Sequence, residues 1–210
     1  LAAMEADIRQ AKQQADVVLV SHHWGIHFVR AVIADYQREV ARAAVAAGAD
    51  AILGHHAHIL KGIECIEGRP VFHSLCNFAT DLRMTPEHAT RPSFREIQKL
   101  GENWEPDFES LYNFPPASRL SMIARLVIRG GRVLEAGFLP VFIDRDAVPL
   151  RSGPAWGRWV VAAALVAGFV IASLLAYRMT LGRTAVVRVA IAERSAPGTI
   201  APAATVLTGS

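Results

Sequence analysis

Apolar positions recur every three to four residues through 2–15, where Met4, Ile8, Ala11 and Ala15 share one face and Glu5, Arg9, Lys12 and Gln13 the other. That period predicts an amphipathic helix. The pattern then changes to the unbroken run Val17-Val18-Leu19-Val20, which suits a short parallel strand covered on both faces. A loop over 21–34 leads to a second helical period over 35–47, with Asp35 as its cap, Tyr36, Val40, Ala44 and Ala47 as its inner stripe, and Gly48 closing it. Ala51-Ile52-Leu53 predicts the next strand. This order implies parallel strands joined by a right-handed crossover, with ligands gathering beyond their carboxyl ends.

From Ile59 the pattern is that of hairpins. Runs at 59–66 and 71–75 flank a turn at Glu67-Gly68-Arg69-Pro70, and long strands at 120–129 and 132–143 meet at Gly130-Gly131. Between them, residues 79–118 carry five prolines among charged residues and read as one long irregular loop, functional or disordered. The fold class expected for 1–150 is α/β, half of a sandwich of parallel and then antiparallel strands. Residues 151–158 read as a linker. Trp159 to Ala176 is eighteen residues without a charge, with Arg158 and Arg178 on either side, so 159–177 predicts a transmembrane helix. More arginines follow this stretch than precede it, which favours a cytoplasmic tail at 178–210, low in information and compatible with disorder, and an extracytoplasmic domain. The chain opens on Leu1 inside a helical pattern, which reads as a fragment lacking its N-terminus.

Charge changes this picture little. A net charge of +3 from 22 basic and 19 acidic residues is near balance, and no basic run interleaved with aromatics points to nucleic acid. Cys65 and Cys76, the two cysteines, match no metal or redox spacing and read as free thiols.

The chemistry lies in the histidines, seven of eight between positions 22 and 73. Gly54-His55-His56-Ala57-His58 follows one predicted strand, and His22-His23-Trp24-Gly25, with His27 beyond, follows the other. Imidazoles are costly to bury without partners, and a metal supplies them. His56 and His58 alternate along what reads as an extended segment, so that both rings face one side, and His23 from the neighbouring strand end adds a third nitrogen. His73 reads as a satisfied core or surface histidine.

These motifs, Ser21-His22-His23-Trp24-Gly25, Gln37 within a helix, Gly54-His55-His56-Ala57-His58 and His73-Ser74-Leu75-Cys76-Asn77-Phe78, resemble the C-terminal half of the CapA-like poly-γ-glutamate capsule synthesis proteins. That family is similar to calcineurin-type metallophosphoesterases, so the resemblance implies the C-terminal half of a metallophosphoesterase-like α/β sandwich over roughly residues 5–145. It implies His23, His56 and His58 as ligands of divalent metal ions (Mn, Fe, Zn or Mg), His22 and His55 as catalytic groups stabilising developing charge, and Asn77 and His27 in the layer behind. His27 stands where the family usually carries Glu, Ala57 where it carries Pro, and Cys76 where it carries Gly. The early Asp and Asn-His motifs of such phosphoesterases have no counterpart in this chain, so half of a dinuclear site is expected. The implied function is capsule or poly-γ-glutamate synthesis or export, with metal-dependent hydrolysis of a phosphoester or amide. The alternative is a non-catalytic polymer-binding or assembly module. Expected partners are an anionic polymer or phosphoester, the membrane and other capsule components.

Overall fold

The structure, a computed structural model, describes residues 1–151 and 189–192. The linker beyond Arg151, the membrane helix expected at 159–177 and most of the tail lie outside the described residues. Among those described, no helix is long and apolar enough to cross a membrane.

The α/β expectation is met by two sheets. The first contains β1 (Val17–Trp24), β2 (Ala51–His56), β3 (Ile63–Ile66), β4 (Arg69–Phe72) and, from the tail, β8 (Val189–Ala192), in the order β3-β4-β2-β1-β8. β8, β1, β2 and β4 run parallel, and β3 pairs antiparallel with β4. The second is the antiparallel meander β5 (Leu120–Arg129), β6 (Arg132–Ile143) and β7 (Pro149–Arg151). The β5–β6 hairpin has the predicted bounds, with Gly130 and Gly131 at φ +56° and +69°, the pair of positive angles that a two-residue turn needs.

Helices α1 (Ala2–Lys12) and α2 (Asp35–Ala46) cover the first sheet. Ile8 from α1 and Ala41, Ala44 and Val45 from α2 pack on Val18, Val20, Ile52 and Val71. Burial of Ile8 alone contributes about 2–3 kcal/mol. The sequence reading placed the inner face of α2 slightly off. Tyr36 is exposed, and the buried positions are Gln37, Ala41, Ala44 and Val45. Nor does Asp35 cap this helix: the Ala34 N–H donates to Gln37 Oε1 at 3.0 Å, and the Gln37 N–H donates to the Ala34 carbonyl at 2.9 Å. Gln37 sits inward because its amide does this work.

Other boundaries also moved. α1 stops at Lys12 rather than 15, β1 and β2 run on into the histidines, and the hairpin turn is Glu67-Gly68 alone, with Arg69 and Pro70 already in β4. Residues 79–118 are not one irregular loop. They form α3 (Pro86–Thr90), α4 (Pro92–Leu100) and a short 3₁₀ turn at Pro116–Arg119. In each case a proline takes the first helical turn, where its missing N–H costs nothing. Segment and meander join the first sheet through residues 75–77: the Leu75 carbonyl accepts from Met122 N and Ser121 Oγ, and the Asn77 carbonyl accepts from the same hydroxyl.

Candidate functional site

Parallel pairing fixes where the histidines emerge. In the β1–β2 register His22 lies opposite Gly54, His23 opposite His55 and Trp24 opposite His56, so both motifs leave the same carboxyl edge. The site is organised by a close approach: Trp24 Nε1 donates to the His73 carbonyl at 2.9 Å, directly over Gly54. A Cβ at position 54 would overlap both groups, so only glycine lets the strands close here.

The expectation of extended alternation at His56 and His58 does not hold. Both residues take positive φ, +96° and +54°, a conformation that non-glycine residues adopt at a cost of order 1–3 kcal/mol when their surroundings impose it. The left-handed turns still gather the rings. His56 Nδ1 lies 2.7 Å from His23 Nε2, and ring centroids of His56 and His58 are 6.4 Å apart. His27 sits closer to the centre than expected, 4.0 Å from the His56 ring and 5.4 Å from that of His58, nearly parallel to the latter. Its loop is tied down by Phe28 N donating to the Ala57 carbonyl at 3.0 Å and by Lys61 Nζ donating to the Val29 carbonyl. The Gly25 N–H donates to Tyr36 Oη at 2.7 Å, which holds the start of the same loop on α2. The result is a quartet of imidazoles: His23, His27, His56 and His58.

Burial first, and then the neighbouring rings, disfavour the charged form of His56 and His27. The His56 pKa falls to about 4 through burial and then His27, His23, His58 and His55, and that of His27 is lowered by burial, His58 and His23. His58 has its tautomer set: Nδ1 donates to Asn77 Oδ1 at 2.7 Å, Asn77 Nδ2 donates to Tyr112 Oη at 2.7 Å, and the Tyr112 hydroxyl donates to the Ser118 carbonyl at 2.6 Å. With Nδ1 protonated, Nε2 of His58 keeps its lone pair for a ligand. Tyr112 is the functional residue that sequence reasoning missed. It is 1% exposed inside the segment taken as irregular, and no local pattern marks it.

His22 and His55 stand apart from the quartet. The His22 ring stacks on Trp24 with centroids 4.6 Å apart, its Nε2 is buried without a hydrogen bond, and burial and then His55 lower its pKa to about 4. His55 Nε2 lies 3.1 Å from Ser21 Oγ, and its ring meets His23 edge-on at 5.4 Å. His73 is a core residue but only half satisfied: fully buried, it donates from Nε2 to Glu64 at 2.9 Å, while its Nδ1 has no hydrogen bond. Cys65 and Cys76 are free, and burial raises the Cys76 thiol to about 12.

The donor chemistry suits a divalent cation, since neutral imidazoles with one fixed tautomer are what zinc or iron binds. The arrangement is incomplete as it stands. Among the described residues, no group of three or more His, Cys, Asp or Glu is placed to hold a metal ion. Nitrogens sharing a tetrahedral zinc stand about 3.3 Å apart, so His23 and His56, now in direct hydrogen-bond contact, would have to part by about half an ångström.

An α/β sheet presenting a histidine edge beyond its parallel strands is the class of site defined here. Residues 1–82 match the family described as bacterial capsule synthesis protein PGA_cap. The chain is 47% identical to the PGA biosynthesis protein CapA of Bacillus subtilis over 102 residues, 49% of this chain and 26% of that protein. It is 40% identical to the capsule biosynthesis protein CapA of Bacillus anthracis over 70 residues, 33% of this chain and 17% of that protein. A third relative, the uncharacterised protein y4sH of Sinorhizobium fredii, is 37% identical over 92 residues, 41% of this chain and 19% of that protein. The chain thus spans about a quarter or less of the curated relatives it matches.

Proposed function

We propose that the chain is part of a capsule or poly-γ-glutamate synthesis or export protein in which the imidazole edge is half of a metallophosphoesterase-type site. The observation that carries this is His58 held as the Nδ1 tautomer by Asn77 and Tyr112, beside His23 and His56. These three would hold a borderline divalent cation such as zinc or iron rather than magnesium, which wants oxygen ligands. When bound, such a cation supplies Lewis acidity toward a phosphoester or amide. The chain's own share is to orient ring nitrogens and to present His55, whose ring meets His23 edge-on, for developing charge. In zinc-loaded, dialysed full chain we expect about one equivalent of metal, lost in His56→Ala and His58→Ala. Equal, substoichiometric metal in all three removes the reading.

The second reading is a non-catalytic module that binds an anionic polymer or supports assembly with other capsule components. The absence, among the described residues, of a complete metal-holding group favours it. Wild-type metal content at background, with polymer retained on the chain in chelator, would establish it.

Membrane attachment through the apolar stretch 159–177, with the α/β domain outside, completes the proposal. A full crossing there and the pairing of Val189–Ala192 with β1 exclude each other, because 178–188 would have to recross hydrocarbon with its backbone groups unpaired. Carbonate extraction of the full chain and of a chain ending at Leu150 decides: a resistant full chain supports the span, whereas equal release supports the strand.

A further inference from the structure

The loop 25–33 between β1 and α2 carries His27 into the imidazole quartet, yet it packs weakly. Between positions 26 and 33 Phe28 is the one buried residue, clustered with Ala57, Ile59 and Trp104, while Ile26, Arg30, Ala31 and Val32 are exposed. Its backbone is also costly. Gly25, Phe28 and Ala31 take φ of +98°, +57° and +55°, and such angles at non-glycine residues persist only where the surroundings impose them. Three hydrogen bonds impose them: Gly25 N–H to Tyr36 Oη, Phe28 N–H to the Ala57 carbonyl, and Lys61 Nζ to the Val29 carbonyl. The first two use the loop's own N–H groups. The third comes from a side chain of the frame.

Lys61 is 5% exposed, and its ammonium meets a neutral carbonyl with no carboxylate ion pair among the described residues. A buried ammonium without a counter-ion costs free energy, so stability alone does not account for it. Its main chain belongs to the first sheet: Lys61 N–H donates to the Ser74 carbonyl at 3.2 Å, and the adjacent Gly62 carbonyl accepts from His73 N–H at 3.1 Å. The side chain therefore reaches from rigid structure to a loop 32 positions earlier in the chain. What that loop delivers is His27, 4.0 Å from the His56 ring and 5.4 Å from the His58 ring. His27, Phe28 and His58 also line a cavity of about 400 Å³, most of whose remaining lining, Phe94, Trp104 and Phe114 included, comes from the segment 82–114. Release of the Val29 carbonyl would withdraw His27 from both.

We propose that Lys61 is a positioning residue: it fastens the 25–33 loop to the sheet and so keeps His27 as the fourth ring of the imidazole edge, able to share a cation with His23, His56 and His58. The inference rests on the metal reading above for the cation. The placement of His27 is read without metal.

The full chain, labelled with ¹⁵N-histidine, is compared in chelator with Lys61→Met, which keeps the length of the stem and removes the charge; His27→Ala assigns the ring. In Lys61→Met the His27 ring signals should move while those of His73 stay. Amide exchange in 28–33 should quicken about tenfold or more, with β1 and β2 unchanged. Lys61→Arg keeps a cationic donor and should return the His27 signals part of the way. Losing a group that orients a ligand costs about tenfold or more in metal affinity. Zinc titrations should show that fall in His27→Ala and in Lys61→Met, and no further fall when the two are combined. Unmoved His27 signals, movement of His27 and His73 together, an unchanged zinc affinity in His27→Ala, or additive losses overturn the proposal. A wild type that takes up no zinc overturns the metal reading and the shared cation with it, while the ring signals still decide whether Lys61 places His27.

Discussion

The two walls of the site are built on different principles. The histidine edge is set by regular structure: parallel strands in fixed register carry His23, His55 and His56 to one rim, and a helix with a buried stripe stands behind them. The segment 79–118 instead consists of two short helices and a 3₁₀ turn, held by aromatic contacts and side-chain hydrogen bonds to distant carbonyls. α3 and α4 bury no residue fully. The first region supplies reactive groups on a rigid frame, and the second supplies shape. Strain at the edge should therefore propagate through the whole domain, whereas changes in the segment should stay local.

The strongest test of that contrast is Gly54→Ala. Its methyl would overlap the Trp24 indole nitrogen and the His73 carbonyl, so β2 must leave β4 or Trp24 must abandon its hydrogen bond. We expect a loss of about 3 kcal/mol or more, read as a lower urea midpoint by tryptophan fluorescence. A loss below about 1 kcal/mol would show that the edge is not rigid.

Next in size is Asp50, 2% exposed and receiving Lys12 Nζ at 2.5 Å, Arg69 at 3.1 Å and the Val18 N–H at 2.9 Å. It ties α1, β1 and β4 together at the end opposite the histidines. Asp50→Ala should cost about 2–3 kcal/mol in the same unfolding assay, at or below the lower end for a broken buried pair because both cations are about a third exposed. If Asp50→Ala costs more than Gly54→Ala, the frame is anchored from the base rather than at the site.

How far each region could be read from residues follows the same division. Val17–Val20, the α2 period and the Gly130-Gly131 hairpin were legible because each is a local pattern with one geometric solution. The convergence of His23 with His56 was legible because parallel strands admit few alternatives. Tyr112, Trp104 and Asn113 were not, because their roles depend on partners at sequence distances that no period encodes: Asn77 lies 35 residues from Tyr112, and Leu82 lies 31 from Asn113. The left-handed turns at His56 and His58 were also missed, because a histidine gives no local signal for positive φ. The inner stripe of α2 was placed on Tyr36 rather than on its neighbour Gln37, because an amide carries no apolar signal while its capping role draws it inward.

A smaller effect tests the core of the frame by pH. Burial lowers the pKa of His73 despite its bond to Glu64, and that bond, together with Arg38, lowers Glu64 against the opposing effect of its own burial. The unfolded chain takes up a proton on His73 near pH 6.5 that the folded chain refuses, so this contribution is complete above pH 6.5 and is lost as pH falls below it. Glu64 acts in the same sense at lower pH, its contribution present above about 4.5 and lost as pH falls through its lowered folded value. Between pH 7.5 and 5.5 we expect His73 to remove at most about 1.4 kcal/mol. Urea titrations at the two pH values should show that drop reduced in His73→Gln.

The smallest expected effect concerns an exposed ion pair that joins the two regions. Arg30 Nε, just beyond the His27 loop, lies 3.0 Å from Glu102, with side chains 62% and 66% exposed. Two long side chains held in water gain little, so Arg30→Ala and Glu102→Ala should each change stability by under about 0.5 kcal/mol, with a coupling of similar size in the double-mutant cycle. If the segment is instead fastened to the edge through this pair, the coupling would exceed about 1 kcal/mol and fall in high salt. Local hydrogen exchange in 92–104 would then rise in either variant, and the separation between a rigid frame and a shape-giving wall would fail where the two meet.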